Sequence, residues 1–488
     1  MSSLAGVSGK TGNGSFFGTR EKGSTLGTEI RAGTTTFATL VYIIIVQPSI
    51  MAACGMPQDA VFTATVIGSG LATLMMGIYG RFPFALATAM GTNAIFAFSI
   101  VAPGIATWET AMGMIFVSGI IFMLLSFPIL RWLWLFGVRD PKILNFSCRE
   151  AVTNNIPLGL KLGLGAAIGV FLMRLGSESI GLTGIVNGSL SFGDLRNPVV
   201  LIGFICLVLT ILMFFVQKQV GGRLWKISGA VLIGIALTSA VLFITGLAPL
   251  PQAVISLPPN ISPIFFKLNI LDALQPKYWT YIFIFFLGDF FSTAGTSLAC
   301  GAKAGFMDKV TGDMPGIERV FQVDSLWTVI GSFLGLTTIT TFVESASGVE
   351  DGGRTGITSI VTAGWFALAL FFSPVFLAIP GAASGVALVL VGLSMMQVLA
   401  DIPYRDIVET IPVLVMVGIT ACSGDFAAAL CVSLVVYGAF VIARWIVENV
   451  AALKDPAHAD PKALAAMRPT AMTLVLMVMS ILKFVITV

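Results

Sequence analysis

The chain of 488 residues is 56% hydrophobic and only 10% charged, and its mean hydropathy is +0.96. Soluble proteins carry roughly 25% charged residues, so this composition excludes a large soluble enzyme. The net charge of +3 gives no reason to expect nucleic-acid binding. Apolar windows of about 20 residues recur along the chain, each long enough to cross a hydrocarbon layer. They predict an all-α polytopic membrane protein.

The windows divide the chain into halves. The polar segment 1–28 is rich in glycine, serine and threonine, so we expect a cytoplasmic N-terminal segment without a cleaved signal peptide. About fourteen apolar windows follow, and we place seven in 29–247 and seven in 277–446, with an inter-repeat loop at 248–276. The C-terminal tail, 447–488, holds an extra apolar segment that either crosses the membrane or lies against the bundle.

Basic residues lie mostly on one side of these crossings. If the N terminus is cytoplasmic, the cytoplasmic segments receive most of the lysines and arginines, and the opposite loops keep only Arg174, Arg196, Lys267 and Lys277. Positive residues accumulate on the cytoplasmic side of membrane proteins. The distribution therefore predicts a cytoplasmic N terminus.

The fifth window contains closely spaced glycines. The stretch "GLKLGLGAAIG" places glycine at 159, 163, 165 and 169. Small residues one turn apart allow two helix backbones to approach each other within a membrane. We therefore predict close helix packing here.

Two windows are poor as continuous helices: the third, 83–103, and the tenth, 338–350, which we call the first and second broken segments. Each begins with an extended-looking piece, at 82–90 and at 337–343, then reaches a small or polar junction and a half-length helix. Irregular backbone at membrane depth is tolerated where it is buried in protein or lines a wet cavity. A matched pair of interrupted segments is typical of a transporter site at the midplane. The alternative is two kinks without a ligand.

Three polar side chains accompany these breaks. Asp289 lies near the centre of the eighth window, Glu344 at the junction of the second broken segment, and Asn93 at the junction of the first. A charged residue at mid-membrane costs roughly 2.5–3.5 kcal/mol, so such residues usually serve a function. Two carboxylates and an amide offer hydrogen bonds to the edge of a flat heterocycle, and either carboxylate could carry a proton. The alternative is internal pairing, for instance with Arg354.

Other polar residues receive lesser roles. Ser292 adds a hydroxyl to the helix face of the eighth window. Asp324, at the start of the ninth window, is expected to cap that helix. The glycine-rich turn after the second broken segment is expected to form a cytoplasmic ion-pair loop or gate through Glu350, Asp351 and Arg354.

The sequence around the second break is similar to that of a known family. The stretch "TTITTFVESASGVEDGGRTGITSIV" resembles the signature of the AzgA-like adenine/guanine/hypoxanthine permeases, a branch of the nucleobase–ascorbate transporter superfamily. The stretches "GTEIRAGTTTFATLVYIIIVQPSIM" and "MGTNAIFAF" resemble that branch in the first window and in the first broken segment. The resemblance runs from about residue 27 to residue 445.

The resemblance implies a fold and an activity. The fold would be that of the uracil permeases, with fourteen segments in two inverted seven-helix repeats, core and gate domains, and short strands in segments three and ten. The activity would be proton symport of purine bases (hypoxanthine, guanine or adenine) by an elevator-type movement. The protein would be a homodimer in a bacterial inner membrane or a plasma membrane, without a cofactor.

The resemblance also implies site residues. The substrate-contacting Asn, Asp and Glu of the family fall on Asn93, Asp289 and Glu344, and Glu344 and Asp289 are the candidates for proton coupling. The neighbouring Thr92, Ser345 and Ser292 complete the expected binding site. Ser292 stands where the family has a second acid, and Thr88 and Ala89 stand where it has proline and glycine.

The sequence also bears on other functions. The same fold could carry xanthine, urate or uracil, whereas an inorganic anion is disfavoured by the acidic midplane. A membrane-embedded enzyme would need a nucleophile with a base, or a metal site, and six scattered cysteines with the single histidine, His458, supply neither. A gated channel would give flux that neither saturates nor follows a pH gradient.

Overall fold

The described part of the chain is mostly helical. The computed structural model describes residues 17–454 except 128–157, 187–188, 221–222, 227–229, 308–313 and 403, together with a few residues between 474 and 481. The extra apolar segment of the tail therefore lies largely outside the described residues, as does the start of the polar N-terminal segment.

The helices in chain order are α1 (Leu26–Leu40), α2 (Ile43–Ala52), α3 (Gln58–Met75), α4 (Met90–Ala94), α5 (Trp108–Ser126), α6 (Leu158–Ile180), α7 (Pro198–Phe215), α8 (Ala230–Ile244), α9 (Ile270–Ala273), α10 (Trp279–Ala304), α11 (Ile317–Phe333), α12 (Ser345–Glu350), α13 (Gly356–Ala369), α14 (Ser373–Leu377), α15 (Gly381–Met396), α16 (Ile407–Ser423) and α17 (Phe426–Lys454). The strands are β1 (Leu86–Thr88), β2 (Thr183–Val186), β3 (Ser189–Phe192), β4 (Gln217–Val220), β5 (Arg223–Lys226) and β6 (Ile339–Thr341). Helices α3 and α4 continue into π-helical turns, Met76–Gly80 and Ile95–Val101.

The long helices have the length and composition of membrane spans. Within the described ranges, eight are long and apolar enough to cross a bilayer: Leu26–Ala52, Gln58–Gly80, Trp108–Ser126, Leu162–Ile180, Pro276–Ala304, Gly356–Leu377, Gly381–Ala400 and Phe426–Val450. Shorter apolar helices cover Met90–Val101, Pro198–Phe214, Ala230–Ile244 and Ile407–Ser423. The protein is therefore a multi-pass membrane protein.

Glycines bring helices α6 and α15 together. A Cβ atom at Gly169 would lie 2.7 Å from the carbonyl oxygen of Gly392, and one at Gly176 would lie 2.6 Å from that of Gly385. Any larger side chain at these points would push the two backbones apart. The close packing predicted from the glycine spacing is confirmed at Gly169, whereas Gly165 has room for a side chain.

The two broken segments meet as an antiparallel strand pair. Leu86 pairs with Thr341, Ala87 with Thr340, and Thr88 with Ile339. The pair is extended at both ends in the same way, because the backbone N–H of Ala89 donates to Thr338 (2.9 Å) and that of Phe342 donates to Ala85 (3.0 Å). The strands lie inside the ranges 82–90 and 337–343, and a short helix follows each one, α4 and α12.

Threonine side chains satisfy the outer edges of this strand pair. The Thr73 hydroxyl, on α3, accepts from the backbone N–H of Leu86 (2.9 Å) and donates to its carbonyl oxygen (3.0 Å). The Thr328 hydroxyl, on α11, does the same for Ile339 at 3.1 and 3.4 Å. Backbone groups buried away from water need such partners, so a two-stranded sheet can exist inside the bundle.

Two further hairpins were not expected in an all-α chain. Strand β2 pairs with β3, and β4 pairs with β5, both antiparallel. Each hairpin lies between two helices in the chain order. The prediction placed strands in the broken segments alone, because the apolar windows dominate the sequence pattern.

Hydrogen bonds join the turn after the second broken segment to α1. The buried carboxylate of Glu29 accepts from the backbone N–H groups of Arg354 (3.1 Å) and Thr355 (3.3 Å) and from the Thr358 hydroxyl (2.5 Å). The Thr35 hydroxyl donates to Asp351 at 2.5 Å. A carboxylate that accepts N–H groups at the start of a helix stabilises it. These bonds fix the end of the broken segment to the first helix.

Candidate functional site

The site lies where each strand of the pair is followed by a short helix, α4 after β1 and α12 after β6. Thr92, on α4, shares a hydrogen bond with the Thr338 hydroxyl (2.7 Å). Ser345, the first residue of α12, accepts from the backbone N–H of Ala85 (2.9 Å). These two predicted site residues are buried, and each one crosslinks its own short helix to the opposite broken segment. Their hydroxyls therefore hold the site together.

Asn93 lies in the same region and is fully bonded to protein. Its side-chain Nδ2 donates to Oε1 of Gln47, and its Oδ1 accepts from the Thr337 hydroxyl. Gln47, on α2, has no exposed surface, and among the described residues nothing bonds its Nε2. A buried amide donor without a partner is costly. Of the two hydrogen-bonded side chains, Asn93 and Gln47, it is therefore Gln47 whose amide nitrogen lacks a described partner.

Glu344 occupies the break in the second broken segment, immediately before α12. Its Oε1 accepts from the Tyr42 hydroxyl at 2.8 Å, while its Oε2 is buried and has no partner among the described residues. The alternative pairing with Arg354 is not formed, because that guanidinium donates to the carbonyl oxygens of Val349 and Gly353. One oxygen of Glu344 is thus held in place and the other is unpaired.

Asp289 lies in the middle of α10 and is 1% exposed. Its Oδ2 accepts from the Thr328 hydroxyl at 2.9 Å, and its Oδ1 is buried without a described partner. The adjacent Gly288 faces α4, since a Cβ atom there would lie 3.5 Å from Cγ2 of Thr92. Asp289 is therefore adjacent in the chain to a residue that faces the first short helix, and the Thr328 hydroxyl links its carboxylate to Ile339 in β6.

On α10, the hydroxyl that bonds the neighbouring elements belongs to Thr293 and not to the expected Ser292. Ser292 is partly buried, whereas the next residue, Thr293, is fully buried and makes the hydrogen bonds. The Thr293 hydroxyl donates to Asp324 and shares a hydrogen bond with Thr340 at 2.6 Å. The residue that ties α10 to β6 is thus Thr293.

The prediction that Asp324 caps the ninth helix is wrong. Helix α11 begins at Ile317 after Gly316, whose φ of 84° is left-handed, so Asp324 lies two turns inside. It has no exposed surface, and its Oδ2 accepts from Thr293 and from the backbone N–H of Thr341 (3.1 Å). The apolar window in the sequence began later than the helix, because "IERVFQV" contains charged residues.

Sequence reasoning also missed Tyr42 and Gln47. Both lie in the apolar run "LVYIIIVQPSI", and a glutamine in such a run, followed by Pro48, was a signal that could have been used. Their partners lie far away in the chain, Glu344 for Tyr42 and Asn93 for Gln47. The bonding could not be predicted from local sequence.

The acids at the site have no cationic partner in the part of the chain that the structure describes. The ion pairs found there join Arg174 to Glu178, Lys303 to Glu350 and Arg444 to Asp406. In the same residues no cluster of acids, cysteines or histidines could hold a metal ion. Buried carboxylates without a counter-ion bind a proton or a hydrogen-bonding ligand. The arrangement suits a polar, uncharged small molecule.

The carboxylates at the turn behind the site are engaged separately. Glu350 forms an exposed ion pair with Lys303 at 2.7 Å, and the backbone carbonyl of Asp351 accepts from Arg31 at 3.0 Å. The expected ion pairing among Glu350, Asp351 and Arg354 is not formed in the described residues, because Glu350 pairs with Lys303 of α10 and Arg354 donates to backbone carbonyl oxygens.

Comparison with known proteins gives consistent results. The model of a permease family matches residues 27–430. The adenine permease AdeQ of Escherichia coli is 35% identical over 80% of this chain and 82% of its own length, and the guanine/hypoxanthine permease PbuO of Bacillus subtilis is 32% identical over 82% and 88%.

A solved structure shares the fold. The transmembrane domain of the cyanobacterium bicarbonate transporter BicA aligns with a TM-score of 0.56 over 83% of this chain and 97% of that one, at 14% identity. At this identity the likeness shows the fold alone. The family resemblance of the sequence motifs is confirmed by the family match and the relatives: the chain belongs to the permease family and is a transporter, not an enzyme.

Proposed function

We propose that this protein imports purine nucleobases (hypoxanthine, guanine or adenine) by proton symport. The observation that carries the proposal is that three of the buried polar atoms without a described partner belong to side chains beside the strand pair and the short helices: Oδ1 of Asp289, Oε2 of Glu344 and Nε2 of Gln47. They offer two acceptors and one donor. Relatives named as adenine and as guanine/hypoxanthine permeases support the choice of purines.

A purine base complements these atoms. Its ring N–H and exocyclic amine groups donate to carboxylates, and its carbonyl or ring nitrogens accept from an amide. In the proposed complex Asp289 and Glu344 accept from the base, and the amide pair of Asn93 and Gln47 bonds its opposite edge. Thr92, Ser345 and Ser292 line the site. Glu344 and Asp289 are the proposed proton carriers.

We further propose fourteen segments in two inverted repeats, 29–247 and 277–446, joined by the loop 248–276. The strand pair supports this arrangement, because a two-fold axis through Ala87 and Thr340 relates its hydrogen bonds on both sides. The same axis relates the edge bonds of Thr73 to those of Thr328. Inverted repeats with a site between two broken segments are typical of secondary transporters.

The remaining parts of the proposal concern movement and assembly. The core domain containing both broken segments would move against the gate domain in an elevator-type cycle. The protein would be a homodimer in a bacterial inner membrane or plasma membrane, with the 1–28 segment on the cytoplasmic side and the 447–488 tail after the second repeat. The distribution of basic residues supports this orientation.

The substitution Glu344→Gln tests the function directly. Glutamine keeps an oxygen for the Tyr42 hydroxyl but replaces the unpaired acceptor with a donor, so we expect uptake of radiolabelled hypoxanthine to be abolished while folded protein remains in the membrane. Glu350→Gln is the matched control, since that exposed carboxylate pairs with Lys303, and it should transport normally. Undiminished uptake by the Glu344→Gln variant would refute the assignment.

A second candidate keeps the mechanism and changes the base to xanthine, urate or uracil. The site atoms described above suit any of these, because all have ring N–H and carbonyl groups. Competition against labelled hypoxanthine by adenine, guanine, xanthine, urate and uracil separates them. An inorganic anion is not favoured, since the buried site carries carboxylates.

A further inference from the structure

Helices α10 and α11 carry the same short pattern at the point where they cross. Each has an aspartate followed four residues later by a threonine: Asp289 with Thr293, and Asp324 with Thr328. Residues four apart lie on one helix face. The hydrogen bonds are exchanged between the helices, because Thr328 donates to Asp289 and Thr293 donates to Asp324.

Both aspartates are removed from water. Asp289 is 1% exposed and Asp324 is 0% exposed, and each has one oxygen, Oδ1, without a partner among the described residues. Each aspartate accepts from the threonine that lies one turn after the other aspartate, so the two carboxylates lie at the same level of the α10–α11 contact. A second negative charge is costly where two buried carboxylates lie close together, because burial removes the solvation that would compensate it.

Other titratable groups are directed elsewhere. Tyr79, on the π-helical turn after α3, reaches α11 at Gln322, where its hydroxyl donates at 2.6 Å. The acids Asp59 and Glu109 lie in the first turns of α3 and α5, the other helices packed against α11. Glu344, beyond β6, is bonded by Tyr42. In the described residues Asp289 is therefore the acid that shares a helix face with Thr293, the residue of α10 that bonds Asp324.

We propose that Asp324 and Asp289 form one carboxyl pair that holds the transported proton, with Asp324 as the positioning residue that does not touch the base. The inference rests on the proposed function. The pair holds one proton, with net charge −1, before uptake. It gains one proton from the outside together with the base and becomes neutral, and it returns that proton to the cytoplasm after the base leaves.

The position of Asp324 couples this proton to the binding site. Its Oδ2 accepts from the backbone N–H of Thr341 in β6, three residues before Glu344. Thr328 links Asp289 to Ile339 in the same strand. A change in the charge of the pair therefore acts on the strand that presents Glu344 to the base.

The substitution Asp324→Asn separates a proton-holding role from a structural one. The amide oxygen of asparagine still accepts from Thr293 and Thr341, so a purely structural residue would tolerate the change. In proteoliposomes we expect the variant to keep exchange of labelled for unlabelled hypoxanthine. Accumulation driven by a pH gradient of one unit should fall roughly tenfold, because that gradient corresponds to about 1.4 kcal/mol per proton.

Each outcome decides the proposal. Gradient-driven accumulation with the wild-type pH profile would overturn it, and so would loss of both exchange and accumulation in a folded variant. If Asp324→Asn does not fold, the Thr293→Val variant provides the test. This substitution removes a hydrogen-bond donor to the ionised form of Asp324, so it should move the pH midpoint of uptake upward. An unchanged midpoint would overturn the proposed carboxyl pair. Wild-type protein that moves no purine base would instead count against the proposed function.

Discussion

Tyr42 fixes the orientation of the Glu344 carboxylate. Its hydroxyl donates to Oε1 at 2.8 Å and leaves Oε2 unpaired. Tyr42 lies in the short break between α1 and α2, so the candidate membrane span Leu26–Ala52 positions an acid of the second half. A bond of this kind to a charged group contributes about 1.5–3 kcal/mol.

Tyr42→Phe should therefore weaken binding of the base. We expect the KM for hypoxanthine uptake to rise roughly tenfold, since each 1.4 kcal/mol is a factor of ten, with the maximal rate less affected. The concentration dependence of initial uptake measures both. Tyr79→Phe is the control, because its hydroxyl bonds Gln322 outside the site. A Tyr42→Phe variant with the wild-type KM would show that the orientation of Glu344 is set by something else.

At the scale of single residues, the sequence indicated which residue types form the candidate site but not which partners they bond. Asn93, Asp289 and Glu344 were candidates because polar groups are rare in apolar windows. In the structure they bond different partners: Gln47 and Thr337 for Asn93, Thr328 for Asp289, and Tyr42 for Glu344. Asp324 was misread as a helix cap, and Gln47 was overlooked. Their importance arises from bonds to residues distant in sequence, Thr293 and Asn93.

Strands β1 and β6 depend on the helices beside them. A pair of three-residue strands has two unpaired edges, and in a membrane interior these edges need partners. Thr73 and Thr328 supply them with one hydroxyl each. The breaks in the two segments are thus stabilised by side chains of the preceding helices, α3 and α11.

Thr73→Val and Thr328→Val test this arrangement as a matched pair. Valine keeps the shape but leaves a buried backbone N–H unpaired, which costs about 1–3 kcal/mol. Both variants should lower the unfolding temperature of the purified protein. Thr328 also donates to Asp289, so we expect only Thr328→Val to reduce uptake per folded molecule. Equal uptake in the two variants would argue against a role of that bond in transport.

At the scale of elements, interrupted segments could be recognised because small, polar and β-branched residues replaced an apolar run. The register of the two strands could not be predicted from the sequence, since it depends on which residues of the two halves meet. The hairpins β2–β3 and β4–β5 were missed because they lie in loops between strongly apolar windows.

The whole molecule determines whether the site works as a carrier. An elevator-type carrier exposes its site to one side at a time, so uptake saturates, and a coupled proton makes uptake follow the pH gradient. We expect initial hypoxanthine uptake by membrane vesicles to saturate with concentration, to increase as the external pH falls, and to collapse when a protonophore is added. Flux that stays linear with concentration and ignores the protonophore would indicate a channel.

The sequence by itself determined that the chain is a multi-pass membrane protein of the permease family, and where its helices are interrupted. Composition, apolar periodicity and a contiguous motif are properties of neighbouring residues, so a single sequence displays them. Only the tertiary structure decided that Tyr42 holds Glu344, that Gln47 rather than Asn93 has the unpaired amide, and that Asp324 and Asp289 exchange threonine hydrogen bonds between their helices. Those relations join residues up to 302 positions apart, and they exist because burial in the bundle leaves each polar group only the partners that the fold brings to it.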